Sequence, residues 1–281
     1  MAADPGRRRE PASGPDRIRR AAVAGRPIGH SLSPALHRAA YAELGLTWTY
    51  DALDVGEDEL AGLFDQIRAD PAWIGLSMTM PLKAEAVRRA DVVEPLAARI
   101  GSANTALRGE DGTITVTTTD VDGVRAAIAA VGARGPIAVL GSGGTARAAV
   151  AAVDDDIEVL VVARSPERGD PVAALHPLGL CVPWDSFDLG DVATVVATTP
   201  AGATDELARS AWPATVGLVD VVYDPWPTRL AARAQASGAR VVGGLTVLVA
   251  QAARQVELMT GRPAPMASMQ AAGEAALAAR S

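Results

Sequence analysis

Lysine is almost missing from this chain of 281 residues: of 26 Lys and Arg side chains, only Lys83, in "MTMPLKAEA", is a lysine. Arginine stays protonated at any ordinary pH, so Lys83 is the one strong base here able to release and regain a proton. Cysteine is equally scarce. The lone Cys181, in the strand-like run "GLCVPW", excludes a disulfide or a cysteine metal cluster within one chain and points to the cytoplasm. The three histidines, His30, His37 and His176, lack metal-ligand spacing, so no metal is expected, and His30 and His37 read as local packing and hydrogen bonding around the first loop. No uncharged apolar run reaches spanning length, which argues against a membrane partner. Positive charge is in deficit too. A net charge of -7 argues against a nucleic-acid surface.

What is present describes a globular chain, with 49% hydrophobic and 21% charged residues, long enough for about two domains. "MAADPGRRREPASGPDRIRR", residues 1–20, has six Arg, scattered Pro and Gly, and no signal-peptide core; it reads as a disordered leader. From residue 21, short β-branched runs alternate with Ala-rich helical stretches, the pattern of α/β layers around a largely parallel sheet. Strands are expected at "AAVAG", "TWTYDAL" and "WIGLSM", then at 136–140, 157–162, 192–197, 217–222 and 239–242. Helices are expected near 34–44, 57–68, 83–89 and 94–100, from 144, and at 246–260 and 264–279.

"GSGGTAR", residues 141–147, joins an expected strand to an expected helix, as a dinucleotide-binding turn must. Gly141 permits the tight turn, and Gly143 and Gly144 let the backbone approach a pyrophosphate. The next strand ends "VLVVARSPER". Ala163, Arg164 and Ser165, with Arg168 behind them, stand where a NAD-binding chain places an acid, so NADP is preferred over NAD. "GRPIGHSLSPALHRAAY" runs from a strand into a helix, with Ser33 before Pro34 reading as N-cap and N1. There Ser31, Ser33 and free backbone N–H groups converge on a point suited to a carboxylate. Further on, Asn104 and Thr105 lie at a strand edge and Asp120 just before a helix. Either Asp120 or Asp122 suffices as a cap, which leaves one spare.

Together the motifs "GRPIGHSLSP", "GLSMTMPLK", "GSANT", "TTDVDG", "GSGGTAR", "VVYDPWPT" and "GLTVLVAQ" resemble, in order, those of the shikimate dehydrogenase family. The resemblance covers residue 21 to the C-terminus. It implies a two-domain α/β fold: residues 21–122 plus 245–281 as the substrate-binding catalytic domain, and 123–244 as an inserted Rossmann-like NADP-binding domain. It implies NADPH-dependent reduction of 3-dehydroshikimate to shikimate, in chorismate and aromatic amino-acid biosynthesis, by a monomer or homodimer. Ser31 and Ser33 would receive the carboxylate, and Thr79, Asn104, Asp120 and Gln251 would hold ring hydroxyls. Tyr223 would enclose the ring, and Lys83, paired with Asp120, would be the acid/base residue. Cofactor contacts would fall on Gly141, Ser142, Gly143, Gly144, Thr145, Ala163, Arg164, Ser165, Arg168, Val221 and Gly244. Relatives often carry Asn where this chain has Arg38, Ser77, Thr118 and Ala163, and near Ala197; Ser77 is expected to alter the bracing of the Lys83 loop. Quinate or aminoshikimate as substrate, and an idle nucleotide-binding relative, are the alternatives.

Overall fold

The computed structural model describes residues 18–132 and 135–280. Of the expected leader, residues 1–17 lie outside the described residues, and Arg20 already belongs to the first strand. Its guanidinium lies over Trp73 and pairs with Asp70.

The first half contains β1 (Arg20–Gly25), α1 (Ser33–Glu43), β2 (Thr49–Asp54), α2 (Leu60–Ala69), β3 (Trp73–Met78), α3 (Leu82–Arg89), β4 (Val92–Val93), α4 (Pro95–Ile100), β5 (Thr105–Arg108), β6 (Ile114–Thr117) and α5 (Asp120–Val131). Its strands form one sheet in the order β2-β1-β3-β5-β6-β4. β1, β2 and β3 pair in parallel, but β5 runs antiparallel to both β3 and β6. The expectation of largely parallel sheets holds, with β5 as the exception: "GEDG" joins β5 and β6 as a tight hairpin, and a hairpin reverses the chain.

The second half contains β7 (Ile137–Leu140), α6 (Gly144–Ala152), β8 (Val159–Ala163), α7 (Pro166–Ala173), β9 (Gly179–Pro183), β10 (Thr194–Ala197), β11 (Gly217–Asp220), α8 (Arg229–Ala236), β12 (Val241–Gly243), α9 (Gly244–Thr260) and α10 (Met266–Ala278). Its sheet has the order β12-β11-β10-β7-β8-β9, and every pairing is parallel. Counted from β7, this is the doubly wound dinucleotide-binding order, whose switch point falls between β7 and β10. Helices cover both faces, which is why "IAVL" and, after Thr194, "VVA" are apolar without alternation and buried throughout. Val139, Val161, Val196 and Val219 pack in one cluster with α5 and α6, while Leu140, Val162, Val195 and Leu218 pack on the other side against Leu230 and Ala231. α5 and α9 pack on each other between the two sheets, and α1 and α10 close over α9 through Leu36, Val249, Val256 and Met269.

Candidate active site

Lys83 is the second residue of α3, which follows a pinned turn. Thr79 N–H donates to the Ala24 carbonyl at 2.9 Å and Leu82 N–H to the Thr79 carbonyl at 2.8 Å. The Lys83 carbonyl accepts Ala103 N–H at 2.9 Å, tying this turn to the segment that carries Asn104. Asp120 opens α5, where the helix's positive end favours a carboxylate. Lys83 Nζ donates to Asp120 Oδ2 at 2.6 Å, with the two side chains 20% and 14% exposed. A pair so placed is shielded from most solvent but open on one side. The expected aspartate cap is corrected: Thr119 holds the N-cap position, and Asp120 and Asp122 are the first and third residues of the helix.

Asn104 Nδ2 donates to Asp120 Oδ1 at 2.9 Å and to Gln251 Oε1 at 3.1 Å, and its Oδ1 accepts Thr119 N–H at 2.8 Å. Four of the expected substrate residues, Lys83, Asn104, Asp120 and Gln251, are thus in direct contact, and Thr79 lines the same cleft as Lys83. Ser31 and Ser33 stand at the start of α1. The expected N-cap is corrected: Leu32 occupies that position and Ser33 is the first helical residue, because Ser31 Oγ reaches over Leu32 to accept Ser33 N–H at 3.3 Å. Both hydroxyls remain at the helix's positive end. Tyr223 lines a second cavity, about 430 Å³, with Trp226, Gly244 and Thr246, and burial pushes its phenol pKa up. His37 is fully buried and bonds the Ser33 carbonyl, while His30 is exposed and its carbonyl accepts from Arg280.

The cleft between the two sheets, about 450 Å³, is lined on one side by Thr79, Lys83 and Ser102 and on the other by Ser142, Gly143, Gly144, Thr145 and Arg147. Gly141 leaves β7 at φ 116°, a conformation that a side chain would strain, and abuts Thr198 at the switch point. Gly143 caps α6, whose first N–H groups face the cleft. A dinucleotide's pyrophosphate fits this cradle on a specific ground. The buried hydroxyls of Ser102, in the cleft wall, and Thr199, beside Gly141, lack hydrogen-bond partners among the described residues. Ala163 ends β8, Arg164 is exposed, and Ser165 caps α7, so the cationic "ARSPER" turn sits at the β8 end beside the cradle. Val221 follows β11, and its carbonyl lies against Gly244 at the start of α9. Among the described residues no cluster of metal-ligating side chains occurs.

Sequence reading missed the layer beneath Asn104. Gln255 lies one helical turn beyond Gln251 on α9, and its Nε2 donates to Thr105 Oγ1 at 3.0 Å and to the Asn104 carbonyl at 3.2 Å. The four-residue spacing was the available signal, since it puts both glutamines on one helix face. Ser77 does brace this region, through Tyr50 and Gln255.

Residues 23–106 match the family model of the shikimate dehydrogenase substrate binding domain, and residues 244–272 that of the shikimate 5'-dehydrogenase C-terminal domain. A shikimate dehydrogenase (NADP(+)) of Thermus thermophilus is 36% identical over 266 residues, covering 92% of this chain and 98% of that protein. One from Methanosarcina acetivorans is 38% identical over 262 residues, covering 86% and 93%. The crystal structure of the Mycobacterium tuberculosis shikimate dehydrogenase superposes with a TM-score of 0.82 at 39% identity, covering 92% of this chain and 99% of that one. The Thermus thermophilus enzyme solved with NADP(H) and shikimate superposes with a TM-score of 0.84 at 35% identity, covering 92% and 100%.

Proposed function

The chain belongs to the shikimate dehydrogenase family, and from that premise we propose how its own residues reduce 3-dehydroshikimate to shikimate. The observation that carries the reading is the Lys83–Asp120 pair at 2.6 Å, on the wall of a cleft whose opposite wall is the dinucleotide turn. NADPH, when bound, supplies the hydride to the substrate's carbonyl carbon. Lys83 then gives its proton to the oxygen that becomes the hydroxyl, so one hydride and one proton complete the two-electron reduction. General acid catalysis of this kind contributes about 100- to 10,000-fold.

Asp120 orients the ammonium and, with Asn104, Thr79 and Gln251, holds the ring hydroxyls. Asn104 Nδ2 shares one donor direction between Thr119 Oγ1 at 3.0 Å and Gln251 Oε1 at 3.1 Å. A substrate hydroxyl can replace one of these acceptors without leaving a buried group unpaired. Ser31 and Ser33 receive the ring carboxylate at the α1 N-terminus, and Tyr223 closes over the ring. Gly141 to Thr145, with Val221 and Gly244, hold the nicotinamide dinucleotide, and Arg164, Ser165 and Arg168 neutralise its 2′-phosphate. We divide the chain into 21–122 plus 245–281 and 123–244, with the α5–α9 pair between the two units. A monomer or a homodimer is the assembly proposed. The compartment proposed is the cytoplasm, on the single cysteine.

The test follows NADPH absorbance with 3-dehydroshikimate, then with 3-dehydroquinate, and repeats both with NADH. Turnover is expected to be fastest with 3-dehydroshikimate and NADPH. Faster turnover of 3-dehydroquinate would move the assignment to quinate, and silence in every arm would reject an active dehydrogenase.

A further inference from the structure

Asn104 can present either end of its carboxamide to Asp120, and only one is useful. Thr119 N–H is a donor and nothing else, so the Asn104 atom 2.8 Å from it is the oxygen, and the nitrogen faces the carboxylate. Turned over, the carboxamide would set oxygen against Asp120 and NH2 against an N–H. The correct face is held from below by a one-way series of hydrogen bonds. Tyr50 OH donates to Ser77 Oγ at 2.6 Å, Ser77 Oγ to Gln255 Oε1 at 2.8 Å, Gln255 Nε2 to Thr105 Oγ1 at 3.0 Å, and Thr105 Oγ1 to Asn104 Oδ1 at 2.9 Å. Each hydroxyl has one proton, so each donation fixes the direction of the next. All four side chains are buried, where water cannot substitute for a lost partner.

The far end of the series is anchored as firmly. Tyr50 stacks on His37 with ring centroids 3.9 Å apart, and His37 Nδ1 donates to the Ser33 carbonyl at 3.0 Å. One buried network therefore joins the serine turn of α1 to the Asp120–Lys83 pair.

We propose that Gln255 is a positioning residue of the reaction: acting through Thr105, it locks Asn104 with its nitrogen toward Asp120 and thereby fixes Asp120 and Lys83 against the substrate carbonyl. The proposal rests on the roles given above to Lys83, Asn104 and Asp120. It separates Gln255 from Gln251, which faces the substrate, although both lie on one face of α9. It also gives Ser77 a role, since its hydroxyl orients Gln255.

Steady-state kinetics with 3-dehydroshikimate and NADPH test it on Gln255→Met, similar in length but without the amide, and on Thr105→Val, which replaces one hydroxyl with a methyl group. Each is expected to lower kcat about tenfold, the range that remote mispositioning produces, while KM for NADPH stays within about twofold. In an Asn104→Ala background neither is expected to lower kcat further, because the group they orient is gone. Should Gln255→Met fail to fold, Thr105→Val carries the test alone. A parental enzyme silent with 3-dehydroshikimate contradicts the functional reading and the proposal with it. An active parent whose kcat is unmoved by these variants, or that loses the same factor in the Asn104→Ala background, contradicts the proposal and leaves the functional reading standing.

Discussion

His37 Nδ1–H donates to the Ser33 carbonyl, which leaves Nε2 bare and, in the core, without a partner among the described residues. A proton added there would be a buried, uncompensated charge, and burial accordingly lowers the His37 pKa to about 4 from its ordinary 6.5. The sign follows from linkage. Below pH 6.5 the unfolded chain takes up a proton that the native protein refuses, so stability falls from there down to about pH 4, by about 3 kcal/mol in all. Urea unfolding at pH 7 and pH 5 should show the parent losing about 2 kcal/mol over that interval, and His37→Phe, which keeps the stack on Tyr50, losing almost none. An equal loss in both would assign the pH dependence elsewhere. Lys83 was legible at this scale because a lone ammonium among arginines stands out chemically. Gln255 and Tyr50 were not: their work depends on partners 150 and 27 residues away, and nothing in either residue type announces them.

Among the elements, the turn after β7 and the start of α9 carry the cofactor reading. A Cβ on Gly244 would overlap the Val221 carbonyl oxygen, so Gly244→Ala must push α9 away from β11. Overpacking of this size costs about 1–3 kcal/mol, and a raised KM for NADPH should accompany the lower melting temperature. The exposed turn between β8 and α7 gives a separate prediction. Arg164→Asp should shift the ratio of kcat/KM for NADPH over NADH toward NADH by tenfold or more, since a carboxylate there repels a 2′-phosphate and accepts from a free ribose hydroxyl. An unchanged ratio would remove Arg164 from the phosphate site. The inner strands of the second sheet, β7, β8, β10 and β11, could be read from sequence because strands buried on both faces are continuous apolar runs. β4 has two residues and β5 and β6 four each, too few to display a period, and α7 contains Pro171, which reads as a breaker.

At the scale of the molecule, the two sheets meet along the α5–α9 pair, and the cleft sets Lys83, paired with Asp120, opposite the glycine turn that follows β7. Arg147 reaches across, its Nη1 donating to the Ile100 carbonyl at 3.4 Å. The order of seven motifs made the family legible, because each motif keeps its local geometry whatever surrounds it. The meeting of Lys83 with Asp120, 37 residues apart, requires the packed fold. Single-turnover reduction of 3-dehydroshikimate by Lys83→Arg, beside the parent at saturating NADPH, measures what that meeting contributes. Arginine keeps the positive charge facing Asp120 but does not release its proton. The rate should fall by about 100-fold or more while the affinity for NADPH is retained; reduction at the parental rate would contradict Lys83 as the proton donor.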